Sequence, residues 1–288
     1  MLGRTPAPAL FITGAISQYV GSAFAVLLFA RVPAAGVAWL RVLAAAVVLV
    51  VWRRPWRARW TGRVVLLAAG FGCVLALMNL AFYEAIARLP LGTAVSIEFI
   101  GPIAVAALGS RTRRDAGALA VAMLGVALLA DVRLSGSPAG VALALGAGVC
   151  WAGYIVLGHR VAAAPGLRPQ DGLAAGMACG ALTLAPFTGA AAGHAFVSAS
   201  LLAACLGVGL LSSVVPYALE QVAMRRLPRA RFALLLALLP ATAAIVGAVV
   251  LGQLPGALEA CGIALVVMAA AMRSHGGDAR GPAPDGLA

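Results

Sequence analysis

Apolar stretches of about 16 to 24 residues alternate with short polar connectors along almost the whole chain. A helix of about 20 apolar residues crosses the hydrocarbon core of a bilayer, because it satisfies its own backbone hydrogen bonds there. The pattern therefore predicts an all-α membrane protein with ten transmembrane helices. The predicted spans are residues 8–30, 35–52, 64–87, 91–109, 116–131, 138–158, 171–189, 199–221, 230–251 and 256–272.

The composition agrees with this pattern, since 63% of the residues are hydrophobic and only 10% are charged. The first span is too long for a cleaved signal peptide, and Arg4 is the one basic residue before it. The fifth span is short, so we expect a tilted neighbour or local thinning of the bilayer to help it across. Residues 274–288 are rich in Gly, Pro and Asp, which predicts a disordered cytoplasmic tail.

The net charge of +12 results from 21 basic residues, all of them arginine, and 9 acidic residues. They lie in membrane connectors, so a nucleic-acid partner is not expected. Basic residues are retained on the cytoplasmic side during insertion. With the N-terminus inside, the inner connectors and ends carry 17 arginines, the outer connectors carry 3, and Arg41 lies within a span. This asymmetry predicts that both termini are cytoplasmic.

The chain also repeats itself weakly. Arg88–Pro90 before the fourth span matches Arg226–Pro228 before the ninth, and Pro102 matches Pro240 at the same offset of 138 residues. Five helices in each half place the second half upside down relative to the first, which is a frequent arrangement in secondary transporters. The predicted inverted repeats are residues 1–135 and 136–273.

Motifs of soluble enzymes and of nucleotide binding are absent from the sequence. The cysteines all lie within predicted spans and show no metal-ligand spacing, so they are expected to pack as small apolar residues. They are Cys73, Cys150, Cys179, Cys205 and Cys261. We therefore expect neither a cofactor nor a metal, and we do not expect an enzyme.

Charged groups at membrane depth are the most informative residues, because they are costly unless they face a cavity or a partner. Glu98 lies near the middle of the fourth span, and Pro102 has no N–H to give to its carbonyl. We expect Glu98 to hold a proton or cation; alternatively, it is a neutral side chain that only packs helices. Arg41 could bind a substrate carboxylate or Glu98, since guanidinium groups form paired bonds with carboxylates; alternatively, it snorkels to the surface.

Other polar and aromatic side chains within the spans could line a binding pocket, although tyrosine and tryptophan also favour membrane interfaces. The candidates are Gln18, Asn79, Tyr83, Trp151, Tyr154 and Tyr217. Glu84 and Glu220 are closer to span ends, where solvated or arginine-paired roles are expected. Pro102 and Pro240 are expected to break their helices.

Several segments carry a resemblance to a known family: residues 89–102, 142–155, 216–220 and 226–228. The first resembles the fourth span of the threonine/homoserine exporters, which belong to the EamA family of the drug/metabolite transporter superfamily. The others resemble spans six, eight and nine of the same proteins. The resemblance extends over nearly the whole chain. It implies a bacterial inner-membrane protein that exports small metabolites in exchange for protons, with amino acids as the first candidate substrates.

Two positions depart from the pattern of those exporters. Leu239 stands where they carry a glutamate before the proline of the ninth span, and Gln253 stands where they often carry a glutamate after it. Glu98 therefore remains the one acid near mid-membrane.

The sequence thus predicts a secondary exporter that works by alternating access. The expected partners are a small polar metabolite, protons and the lipid bilayer, and a homodimer is compatible with this reading. A first alternative is an exporter of lipophilic cations or drugs from the same superfamily. A membrane enzyme or scaffold is a second alternative, but the cluster of acids and histidines at one membrane face that an enzyme would need is absent.

Overall fold

The computed structural model describes residues 6–58, 60–110, 112–134, 137–227, 232 and 235–274, and within them it contains helices and no strands. The predicted tail beyond Ser274 lies outside the described residues, as does Pro228 of the repeated motif. The α-helices are α1 (Ala7–Leu28), α2 (Ala34–Arg53), α3 (Gly62–Ile86), α4 (Leu91–Glu98), α5 (Ile100–Ser110), α6 (Arg113–Leu134), α7 (Pro138–Ala162), α8 (Pro169–Ala192), α9 (Ala199–Gly209), α10 (Val215–Arg226), α11 (Leu239–Leu251) and α12 (Ala257–Ser274).

Where its residues are described, each predicted span corresponds to a helix or to a broken helix; residues 230, 231, 233 and 234 of the ninth span lie outside the described residues. The fourth span is formed by α4 and α5, and the eighth by α9, a π-helical turn at Leu210–Val214, and α10. Among the described residues, six helical stretches are individually long and apolar enough to cross a membrane, and further apolar helices are shorter. The fifth span was predicted to be short, but α6 has 22 residues, because the helix extends into the polar residues at both ends of the apolar stretch.

Two of the helix breaks lie beside the repeated prolines. α4 ends at Glu98 and α5 begins at Ile100, two residues before Pro102. The chain turns again at residues 237–238, and α11 begins immediately before Pro240. A proline in a helix removes one backbone donor and clashes with the preceding turn. The local sequence therefore accounts for a discontinuity in the fourth and ninth spans.

Helices of the first half pack mainly against helices of the second half. The contacts pair α1 with α10, α2 with α8, α3 with α7 and α8, α4 with α11, and α6 with α12. Buried apolar side chains fill two clusters, one centred on α1, α4 and α11 and the other on α2, α3 and α8. The polar side chains considered next lie between these clusters, where α1, α2, α3, α4 and α7 converge.

Candidate functional site: a charged cavity inside the bundle

A small cavity of about 60 Å³ lies inside the bundle, and we call it the central cavity. It would hold about two water molecules, which is less than the volume of an amino acid. Helices α1, α2, α3, α4 and α7 all contribute to it. Its lining consists of Gln18, Tyr19, Arg41, Met78, Asn79, Phe82, Glu98 and Trp151. Five of these residues were selected from the sequence as candidates for binding: Gln18, Arg41, Asn79, Glu98 and Trp151.

Glu98 is the last residue of α4, and its side chain is only 6% exposed. No ion pair or side-chain hydrogen bond joins it to another described residue. Its backbone meets α7 closely: a Cβ added at Gly148 would lie 2.7 Å from the Glu98 carbonyl oxygen. Trp151, one turn along α7, packs edge-on against Phe99 with ring centroids 5.4 Å apart. The break in the fourth span is thus held against α7 with the carboxyl group facing the cavity.

Arg41 lies within α2 and is also only 6% exposed, so it does not snorkel to the membrane surface. Its Nε donates to Ser213 Oγ at 2.9 Å, and its Nη2 donates to the Ser212 carbonyl at 2.9 Å. The guanidinium carbon lies 5.1 Å from the centroid of the Tyr83 ring, a cation–π contact. These bonds use two of the five N–H donors of the group. The guanidinium therefore retains donors for a ligand in the central cavity.

Pro216 explains why a carbonyl of span eight is open to a donor from Arg41. This residue has no N–H, so it cannot serve the carbonyl of Ser212 four residues earlier. The chain there forms the π-helical turn Leu210–Val214, in which the Val215 amide donates to the Leu210 carbonyl. Side chains of neighbouring helices bond two carbonyls of this turn: Ser17 Oγ donates to Leu211 O at 2.8 Å, and Arg41 Nη2 donates to Ser212 O.

Sequence reasoning did not select Ser212 and Ser213 as functional residues. The signal was present, because Ser212 stands four residues before Pro216 just as Glu98 stands four residues before Pro102. The loss of a backbone donor that drew attention to Glu98 applies equally to span eight. In both places a proline inside a span removes the backbone donor of the carbonyl four residues earlier, and on span eight Arg41 bonds that carbonyl.

The remaining candidates lie around the central cavity or apart from it. Asn79 lines the cavity, and its Nδ2 donates to the Leu75 carbonyl at 2.8 Å. Tyr83 stands behind Arg41, with its hydroxyl 3.5 Å from Ser212 Oγ. The structure does not place Tyr154 in the lining; its ring stacks on Phe71 with centroids 5.1 Å apart.

Tyr217 lines a second cavity of about 320 Å³ between α2, α8 and α10. At the rim of this cavity, Arg53 and Asp171 form an ion pair with a nitrogen–oxygen distance of 3.2 Å. Glu84 is paired with Arg88 at 2.5 Å, in line with its expected role. Glu220 is half-buried and makes no ion pair with a described residue, so of its two expected roles the arginine-paired one is not seen.

The central cavity is lined by one basic and one acidic side chain that do not form an ion pair with each other. Arg41 and Glu98 both line it, yet the ion pairs among the described residues are Arg53–Asp171 and Arg88–Glu84. Separate buried charges are costly, and such groups in membranes usually mark binding sites or ion pathways. No group of three or more His, Cys, Asp or Glu side chains suited to a metal occurs in the part of the chain that the structure describes. The arrangement is suited to binding a small ligand that carries both charges.

A bundle of long apolar helices around a buried cavity is typical of a multi-pass membrane protein. Comparison with known proteins specifies which kind. Residues 138–274 match the model of the EamA-like transporter family. The chain is 36% identical over 252 residues to the threonine/homoserine exporter RhtA of Salmonella typhimurium strain SL1344, covering 86% of this chain and 84% of that one. It is 39% identical over 236 residues to RhtA of Escherichia coli strain K12, covering 81% and 79%.

The chain therefore belongs to the EamA-like transporter family and is a multi-pass protein of the bacterial inner membrane. A solved crystal structure with 20% sequence identity superposes on 94% of this chain and 98% of its own, with a TM-score of 0.59. That likeness concerns the fold alone. The family membership predicted from the span-four, span-six and span-eight motifs is confirmed.

Proposed function

We propose that this protein exports small zwitterionic amino acids, with threonine and homoserine as the first candidates. The observation that carries the proposal is the presence of Arg41 and Glu98 on one buried cavity without an ion pair between them. An α-amino acid carries a carboxylate and an ammonium group a few bonds apart. Its carboxylate would bind the guanidinium of Arg41, and its ammonium group would bind Glu98. The relatives named as threonine/homoserine exporters support this choice.

Exchange for protons follows from the chemistry of Glu98 in this proposal. A single buried carboxylate can hold either a proton or a substrate ammonium group, but not both at once. Protonation from the outer side would release the amino acid there, and deprotonation on the inner side would prepare the site for the next molecule. Asn79 and Gln18 line the same cavity and offer amide groups to a substrate side-chain hydroxyl.

The central cavity must enlarge to admit an amino acid, and we propose that the two inverted five-helix repeats, residues 1–135 and 136–273, rock against each other. The spacing of 138 residues between Pro102 and Pro240, each beside a helix break, supports such a repeat. So does the pairing of first-half helices with second-half helices. The arginine asymmetry supports an arrangement with both termini in the cytoplasm.

The two departures from the exporter pattern are compatible with this mechanism. Gln253 Oε1 accepts a hydrogen bond from the Leu91 amide at 2.9 Å, at the start of α4. This role needs only an acceptor oxygen, which glutamine and glutamate both supply. Leu239 is buried among apolar side chains at the start of α11. In this chain proton exchange would therefore depend on Glu98.

The test is transport by the purified protein in liposomes loaded with labelled threonine, with competitors that carry one or both charges. We expect threonine and homoserine to compete, whereas an amine without a carboxylate and a carboxylate without an amine compete only weakly. Competition by lipophilic cations, without competition by amino acids, would contradict the proposal and favour the drug-exporter alternative. Protein-free liposomes are the control for passive leakage.

A further inference from the structure

The edge of the Arg41 guanidinium that binds span eight is one of the two edges that can bind both oxygens of a carboxylate. Nε and Nη2 project their N–H groups in parallel, the geometry that matches the two oxygens of a carboxylate. In the structure this edge is occupied, because Nε bonds Ser213 Oγ and Nη2 bonds the Ser212 carbonyl. A carboxylate that takes both bonds must therefore displace span eight from Arg41.

Displacement has a structural consequence that follows from Pro216. The Ser212 carbonyl cannot receive a backbone N–H from residue 216, so Arg41 supplies its hydrogen bond from another helix. An unsatisfied carbonyl inside a membrane protein is costly, so loss of Arg41 favours a rearrangement of the turn. A π-helical turn is one of the backbone features that can shift to another hydrogen-bond pattern within a continuous helix.

We propose that Ser213 and the π-helical turn Leu210–Val214 form a latch that holds Arg41 until a carboxylate displaces it. Ser213 is a positioning residue in this scheme, since it acts through Arg41. Arg41 belongs to the first half of the chain and the latch to the second, so carboxylate binding loosens a contact between the halves. The scheme rests on the proposed function for the identity of the substrate, but the competition for Arg41 requires only a carboxylate.

Helix α1 packs closely against the π-helical turn. A Cβ added at Gly21 of α1 would lie 2.8 Å from Ser212 Oγ, so α1 is pressed directly against the turn. Ser17, one turn earlier on α1, donates to the Leu211 carbonyl. Ser17 bonds the turn but not Arg41, so its variant distinguishes loss of a hydroxyl beside the turn from loss of the bond to Arg41 itself.

The experiment measures the thermal stabilisation of the purified protein by acetate, the simplest carboxylate probe, with methylammonium as the oppositely charged comparison. Four proteins are compared: wild type, Ser213→Ala, Ser17→Ala and Thr188→Val. Thr188 is a buried hydroxyl on α8 that bonds its own helix at Leu184, so its variant controls for loss of any buried hydroxyl.

Ser213→Ala removes one of the two bonds that compete with the carboxylate. We expect its half-saturating acetate concentration to fall by about 3- to 20-fold, the range set by interhelical hydrogen bonds in membranes. Ser17→Ala and Thr188→Val should keep the wild-type value, and methylammonium should show no such change in any variant. In transport, Ser213→Ala should lower the KM for threonine and also lower kcat, because release from Arg41 becomes slower.

The proposal is overturned if acetate does not stabilise the wild type, if Ser213→Ala binds it no more tightly, or if Ser17→Ala shows the same gain. Ser213→Cys is a second variant in case the alanine protein does not fold, because it keeps the size of the side chain and weakens the acceptor. A gain in acetate affinity without any amino-acid transport would leave the latch in place and remove the proposed function instead.

Discussion

Replacement of Arg41 by lysine separates geometry from charge at the centre of the site. Lysine keeps the positive charge but offers its donors from one point, so it cannot span Ser213 Oγ and the Ser212 carbonyl as the planar guanidinium does. By the same geometry lysine cannot bind both oxygens of a substrate carboxylate, and the lost bond costs about 0.6–1.7 kcal/mol at the strength of hydrogen bonds inside membranes. Weaker contact with the Tyr83 ring adds about 0.5–1 kcal/mol.

Together these losses amount to about 1–3 kcal/mol, which corresponds to about a 5- to 150-fold decrease in kcat/KM for threonine. The assay is threonine flux in liposomes with equal amounts of reconstituted protein. Arg63→Lys is the control, because Arg63 is exposed and makes no ion pair with a described residue. Wild-type flux from Arg41→Lys would refute the reasoning, since it would show that the charge alone is sufficient.

Two further predictions concern topology and packing. In a cysteine-free background, Ala87→Cys should react with an impermeant thiol reagent from outside, and Thr112→Cys should react only from inside. Both positions are exposed and therefore open to the reagent. The reverse labelling would overturn the predicted orientation. Gly148→Ala should destabilise the protein by about 1–3 kcal/mol in detergent unfolding, because its Cβ would lie 2.7 Å from the Glu98 carbonyl. Gly146→Ala, with no atom within 4 Å of the added Cβ, should be nearly neutral, and equal effects would contradict the close approach of α7.

The sequence was sufficient to predict the helices because hydrocarbon imposes a single constraint on them, namely about 20 apolar residues for each crossing. It was less informative about the interior of each span. The π-helical turn at Leu210–Val214 depends on which neighbouring side chains serve the carbonyls that Pro216 leaves free. Those neighbours, Ser17 and Arg41, come from other helices and cannot be identified by periodicity.

The candidate site was likewise predictable only in part from the sequence. Glu98 and Arg41 stand out in the sequence because charges at membrane depth are rare, and both line the central cavity. Aromatic residues give a weaker signal, since they favour interfaces and cores as well as pockets. Trp151 of α7 lines the cavity. Tyr154, one turn further along α7, packs against Phe71 of α3 instead. Their separate roles depend on the rotation of α7, which is set by tertiary packing.

The most direct test of the account is threonine flux in liposomes, with and without an imposed pH gradient, for wild type, Glu98→Gln and Glu84→Gln. Glutamine keeps nearly the volume of Glu98 but neither titrates nor binds an ammonium group as a counter-ion. Glu84 is the matched control, because it lies outside the central cavity and is paired with Arg88. We predict that Glu98→Gln inserts normally but loses flux driven by the gradient, while Glu84→Gln keeps it. Flux from Glu98→Gln that equals wild type and still responds to the gradient would contradict the central role of Glu98.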